Sequence, residues 1–314
     1  MSNDTTTTTT TLTTATAAFA EATAAFAAAT AAFAEAQRAP ASPAAEPPKV
    51  PAHKYAFGET VDIDGDMDQY RAFIGDAAAL ANVRSLHLYR MSEITDVSMF
   101  RHVRRISLYC LDNVADVSVL GGVGSSVENL ALRYMPKVAS LAGLGALNIL
   151  VLENAKGITS LGPVKTVVKV ILRDMPNIDC IADLEGNAIR YLEVTDSLQK
   201  VSDISPLRNI EVISIKGMPL VSDVSALRGV RDLTVANMPL VADVSALRGV
   251  EKLTLGSLPL VSDVSALRGV VDLALYGMPK VTDVSGLVKV VPTLTVRNCG
   301  CACVEPPKLF AVST

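Results

Sequence analysis

Aspartate and serine recur together at a spacing that could do chemistry. The pairs Asp96/Ser98, Asp116/Ser118, Asp203/Ser205, Asp223/Ser225, Asp243/Ser245, Asp263/Ser265 and Asp283/Ser285 put a carboxylate two residues before a hydroxyl, mostly at 20-residue intervals. A column of carboxylates could hold cations, and a column of hydroxyls could supply nucleophiles. A serine nucleophile needs a base beside it. The histidines are His53, His87 and His102, so the C-terminal serines have no imidazole within several repeats. Carboxylates stacked about 5 Å apart repel unless compensated. Arg208, Arg228, Arg248 and Arg268, each five residues after an aspartate, are expected to compensate them. An aspartate just before a short apolar turn also accepts from backbone N–H groups two or three residues on. The expected roles are structural: aspartate caps a turn and serine lies in it.

Other constellations are weaker. The acidic run DIDGDMD at 62–68 has the alternation of a calcium loop. Started at Asp62 or Asp64, however, it lacks the glycine at position 6 and the glutamate at position 12 that such a loop needs. Cys299, Cys301 and Cys303 alternate instead of forming the CxxC pairs usual in zinc sites. They read as thiols on a final strand edge, with a metal or redox role as the second reading. GVGSS at 122–126 and GLGA at 143–146 lack the spacing that cradles phosphate. The expectation is a non-enzyme without cofactor or metal.

Composition narrows the class further. Half of the 314 residues are hydrophobic, only 4% are aromatic and tryptophan is absent, so the core must be aliphatic. The net charge of −4 gives no general electrostatic reason to bind nucleic acid or an anionic membrane. Five scattered cysteines do not frame a disulfide-built domain. The start MSNDTTTTTT lacks the pattern of a signal peptide, and no apolar run is long enough to cross a bilayer. A soluble cytoplasmic protein is expected.

These residues sit on an organised chain. Residues 1–37 form a Thr/Ala-rich tail in which Phe19, Phe26 and Phe33 recur at heptad spacing. It reads as a low-complexity, partly helical tail, or as an element of weak self-association. Residues 38–51 are a Pro/Ala-rich linker, and 52–73 an N-terminal cap. From 74 to 298 the chain is periodic, and 299–314 form a C-terminal edge and tail. VSDVSALRGV at 221–230 returns unchanged at 261–270. Its first valine has equivalents at Ile74, Ile94, Val114, Val138, Ile158, Ile178, Val201, Val241, Val261 and Val281. The gaps are 20 residues apart from 24 after Val114 and 23 after Ile178.

Each unit follows V-x-D-V-S-A-L-x-x-V-x-x-L-x-V-x-x-M-P-x. Its L-x-V alternates with period 2, as in a very short strand with one buried face. Proline, which cannot donate to a ladder, soon follows. The D-V-S-A-L leg is too short for an ordinary α-helix. This pattern resembles the leucine-rich repeat, L-x-x-L-x-L-x-x-N/C-x-L. VSDISPLRNI at 201–210 is similar to the return legs of internalin-like and BspA-like proteins and of kinetoplastid and giant-virus repeat proteins. The resemblance implies an α/β-type repeat solenoid of about eleven units, right-handed, with one parallel sheet and a convex side of turns or 3₁₀ segments. It also implies a protein-interaction scaffold. The alternatives are a regulatory or adaptor subunit, like adenylate-cyclase regulators or ubiquitin-ligase specificity subunits, and a surface or structural repeat protein. One departure stands out. Where the family places asparagine, this chain has Met91, Leu111, Met135, Ala155, Met175, Met218, Met238, Leu258, Met278 and Cys299, so the turn amides must find other acceptors. The Asp column is the expected one.

Candidate partner residues lie on strand positions facing away from the core, which vary while the core columns hold still. The N-terminal end of that face is rich in tyrosine and arginine, types enriched at binding hot spots. His87, Tyr89, Arg105, Tyr109 and Arg133 are the candidate contacts for an unidentified protein, acidic where it meets them.

Overall fold

The structure is a computed structural model that describes residues 58–301 except 123, 163–165 and 187. The Phe heptads, the Pro/Ala linker, His53, the start of the cap and Cys303 lie outside the described residues.

Each L-x-V segment forms a five-residue strand. The strands are β1 (Thr60–Asp64), β2 (Ser85–Tyr89), β3 (Arg105–Tyr109), β4 (Asn129–Arg133), β5 (Ile149–Glu153) and β6 (Lys169–Arg173). They continue as β7 (Tyr191–Thr195), β8 (Val212–Lys216), β9 (Asp232–Ala236), β10 (Lys252–Gly256), β11 (Asp272–Tyr276) and β12 (Thr293–Arg297). All pair in parallel and in sequence order, making one sheet in a repeat solenoid of α/β type. The register runs unbroken past both insertions. Leu108 still faces Leu132, and Leu172 still faces Val194. The extra residues are therefore absorbed in the connections.

The second and fourth residues of β1 through β11 point inward and are buried. Around β9 the core column of one repeat comprises Val221, Val224, Leu227, Val230, Leu233, Val235 and Met238, all buried. Each such side chain contributes roughly 1.5–3 kcal/mol of burial, and none can bury itself without the neighbouring repeat.

The aspartates act as expected, and they have company. Ser98, Ser118, Ser205, Ser225, Ser245, Ser265 and Ser285 donate their backbone N–H to the aspartate two residues before, at 2.7–2.8 Å. Where the aspartate is missing, Ser140, Ser160 and Cys180 accept the same bond through Oγ or Sγ at 3.1, 3.2 and 3.5 Å. Short 3₁₀ turns follow most of these acceptors, as at Ser225–Leu227 and Ser245–Leu247. These bonds hold the carboxyls of Asp203, Asp243 and Asp263 below the usual range, the Ser N–H contributing most. The expected arginine compensation is present but minor: after the Ser hydrogen bonds, the charges of Arg208 and Arg268 help to lower Asp203 and Asp263. None of the ion pairs among the described residues joins Arg208, Arg228, Arg248 or Arg268 to an aspartate, and Arg208 Nε donates to Ser205 O at 2.9 Å. Hydrogen bonds, more than arginines, stabilise the carboxylate column.

The first unit departs from the pattern. Ile74 falls within helix α1 (Met67–Gly75), and α2 (Ala77–Asn82) follows, so two helices replace the short return leg. Asp66 accepts from Asp68 N and Gln69 N, and Asp76 from Ala78 N and Ala79 N, which caps both helices. The acidic run thus divides between β1, which carries Asp62 and Asp64, and the start of α1. Tyr70 and Phe73 of α1 pack on Phe100 with ring centroids 6.4 and 6.5 Å apart. Among the described residues no helix is long and apolar enough to cross a membrane.

The post-strand turn is the other surprise. The residue after each of β2–β12 has positive φ: Arg90, Cys110, Tyr134, Asn154, Asp174, Asp196, Gly217, Asn237, Ser257, Gly277 and Asn298, at 49–75°. From Arg90 to Gly277 its N–H donates to the last carbonyl of the next strand, for example Tyr134 N to Glu153 O at 2.8 Å. The turn amides beside the methionine column are thus served by the neighbouring repeat and not by the aspartates, which lie at the start of the return leg. Ser197 is the polar member of that column. It is fully buried, and its Oγ accepts from Met175 N at 3.0 Å.

Candidate functional site

Strand pleating sends the first, third and fifth residues of each strand to the face opposite the core. In-register pairing then aligns them in rows. The fifth-residue row begins Asp64, Tyr89, Tyr109, Arg133, Glu153, Arg173. The third-residue row begins Asp62, His87, Ser107, Ala131, Val151, Ile171. Arg105 lies in the first-residue row between Ser85 and Asn129. The structure therefore brings the candidate residues together across β2–β4: His87, Tyr89, Arg105 and Arg133 line a shallow depression of about 340 Å³, and Tyr109 stands beside Tyr89.

The aromatic rings form a chain. His87 lies near-parallel to Tyr89 with centroids 6.4 Å apart, Tyr89 is 6.0 Å from Tyr109, and Tyr109 is 5.1 Å from Tyr134. Burial raises the Tyr89 phenol above its usual pKa, with the charge of Asp62 adding to it. Burial also raises Tyr109, helped by Cys110 and Tyr134. Both hydroxyls are protonated donors at neutral pH. His87 Nε2 lies 3.0 Å from Ser85 Oγ. Ser85 is buried, and no carboxylate hydrogen-bonds His87 among the described residues, so the contact orients the ring instead of activating a nucleophile.

The cations differ in availability. Arg133 donates from Nη1 to Ser107 Oγ at 3.1 Å, and its Nε lies 3.2 Å from Glu153 Oε2. Farther along, Arg173 pairs with Glu193 at 2.6 Å, Tyr191 donates to Glu193 at 3.1 Å, and Lys169 sits 4.3 Å from the Tyr191 ring centroid. Arg90 Nε donates to Asp64 at 2.7 Å. Arg105 is exposed and has no side-chain partner among the described residues. Of the RHVRR cluster, Arg104 approaches Glu128 at 3.9 Å, and Arg101 lines a separate depression beside His102 and α2. Only Arg105 sits in the aromatic patch. With Asp62 and Asp64 on the adjoining strand, the patch runs from acidic through aromatic to a single unpaired guanidinium.

Sequence reasoning missed Tyr134. It follows β4 directly, outside the strand alternation, and its φ of 53° accompanies its placement beside Tyr109. The hint was a third tyrosine one residue after a strand end. Among the described residues no group of three or more His, Cys, Asp and Glu could hold a metal ion. No family model matches the sequence, and no curated protein matches it either.

Proposed function

We propose that the chain is a leucine-rich repeat protein that acts as a non-catalytic scaffold, binding another protein through the outward face of β2–β4. The observation that carries this reading is the clustering of His87, Tyr89, Tyr109, Tyr134 and the unpaired Arg105 on positions that vary, above core columns that do not. Flat, amphipathic rings around one free guanidinium are the composition of a binding hot spot. The guanidinium favours a partner carboxylate, which it can hold through two parallel hydrogen bonds. The repeat identity is supported by the 20-residue period, the L-x-V strands and the short return legs; the apolar asparagine column is its main departure.

The test is affinity capture from the native cell with wild type and with the variant Tyr89→Ala/Arg105→Ala/Tyr109→Ala. All three side chains face away from the core, so the circular-dichroism spectrum should be unchanged. Loss of specific partners is expected, each hot-spot residue being worth about 2 kcal/mol or more. Identical partner lists would sink the reading.

A further inference from the structure

The two ends of the sheet are finished differently. At the N-terminal end Val61 and Ile63 of β1 are fully buried, with α1 adding Tyr70 and Phe73 to the same core. At the C-terminal end the equivalent Leu294 and Val296 of β12 are only half-buried, as are Cys299 and Cys301. Beside them Val288 and Val290 are 60% and 50% exposed, the highest values of any large hydrophobic residue among those described. Val288 occupies the position that Arg208, Arg228, Arg248 and Arg268 hold in the four preceding repeats. The last repeat exchanges a charge for an apolar side chain where the described residues provide no cover.

The backbone of β12 is also half-used. Thr293 N donates to Val271 O at 3.1 Å, and Arg297 O accepts from Gly277 N at 3.0 Å, so the odd-numbered residues point toward β11. By alternation Leu294 and Val296 aim both their N–H and C=O groups at the free edge. Such an edge pairs with another strand unless something blocks it. Pro292 has no N–H and ends the pairable stretch on one side.

We infer that this edge is a homodimer interface in which β12 pairs antiparallel with β12 of a second copy, about a two-fold axis at Thr295. The register is self-complementary. Leu294 faces Val296 of the second copy, and each opposed pair of this kind exchanges two N–H···O bonds. Both side chains lie on the core side, so the two cores become continuous. On the other face Thr295 meets its own copy, and Arg297 stands opposite Thr293. The next rung beyond Thr293 carries Asp272 in the same row. Arg297 and Asp272 have no ion-pair partner among the described residues, and a long guanidinium reaches across one rung. It must cross two strand spacings, about 10 Å, where Lys252 and Asp232, on adjacent strands, cross one at 4.0 Å. The symmetry supplies the pair twice, and this complementarity selects a second copy over an unrelated partner. Both aromatic patches would then face the same side of one sheet, making the dimer bivalent.

The experiment is sedimentation velocity of the full chain across micromolar concentrations. A reversible dimer is expected. Arg297→Asp and Asp272→Arg should each weaken it about tenfold or more, and the double swap should restore it to within a few-fold. Thr295→Lys, which sets two ammonium groups together at the axis on the outward face, should give a monomer with an unchanged circular-dichroism spectrum. Phe19→Ser/Phe26→Ser/Phe33→Ser should leave the dimer intact, which separates this interface from self-association through the heptads. A wild-type monomer at about 100 μM, a dimer indifferent to the charge swaps, or one abolished by the Phe variant would each overturn the inference.

Discussion

Gly277→Ala isolates the backbone strain of the post-strand turn. Gly277 has φ of 58°, in a column whose other members are mostly not glycine. An added Cβ would lie 3.5 Å from Ser257 Oγ and 3.8 Å from Ser257 N, ordinary van der Waals distances, so it meets no clash. What remains is the left-handed penalty of about 1–2 kcal/mol, offset by about 0.4–1 kcal/mol from the stiffer unfolded chain. The net cost is about 0–1.6 kcal/mol. Gly217→Ala must cost more, because with φ of 75° its Cβ would come within 2.6 Å of Asp196 Oδ1 and 3.2 Å of Asp196 Cα. Ser257→Gly, at φ of 51° in the neighbouring repeat, should run the other way and stabilise by a similar amount. Urea titration followed by far-ultraviolet circular dichroism measures all three, with the slope unchanged and the midpoint moving. A stabilising Gly277→Ala, or a Gly217→Ala milder than it, would refute the left-handed turn and with it the strand-end ladder.

Two further outcomes follow from the polar groups. Ser197→Ala leaves the buried Met175 N–H without its acceptor and should cost about 1–3 kcal/mol; an unchanged urea midpoint would contradict the bond. The carboxyls of Asp116, Asp203, Asp243, Asp263 and Asp283 are held below their unfolded range by Ser side-chain and backbone donors, so their contribution is complete at neutral pH and fades as pH falls below about 4. Thermal midpoints should therefore drop on acidification through that window, and Asp243→Asn/Asp263→Asn, which keeps an acceptor but no charge, should drop less.

How much of this was legible depends on whether side-chain type or backbone carried the signal. The strands, their register and the outward rows were readable because Leu and Val repeat with period 2 inside a 20-residue period, and a one-residue slip would turn the whole apolar set to solvent. The cap was not. Ile74 stands at the right spacing for the array, yet Tyr70 and Phe73 at i and i+3 and the alanines of AAALAN favour helix, and local preference prevails at an end with one neighbouring repeat. The acceptor column was read as aspartate alone because charge draws the eye. Ser140, Ser160 and Cys180 show that the turn asks only for a short acceptor. The positive-φ column was hidden almost completely, since Arg90 and Tyr134 are not residues that advertise a left-handed turn. For the same reason Tyr134 escaped the candidate site that its neighbours Tyr89 and Tyr109 had already marked.

The turn after each strand makes each repeat depend on the next one. The turn N–H after a strand takes its acceptor from the last carbonyl of the following strand, as Asn237 N does from Gly256 O at 3.0 Å and Gly277 N from Arg297 O at 3.0 Å. Each such turn is complete only when a successor is in place. The coupling is therefore directional, and the deficit falls on whichever repeat comes last. Among the described residues that repeat is β12 with Asn298, φ 54°, whose N–H has no successor strand to meet. The same strand has the half-buried Leu294 and Val296, and the return leg before it the exposed Val288 and Val290. Among the described residues an unpaired strand edge and partly covered apolar side chains coincide at β12, and a second copy paired there would cover both.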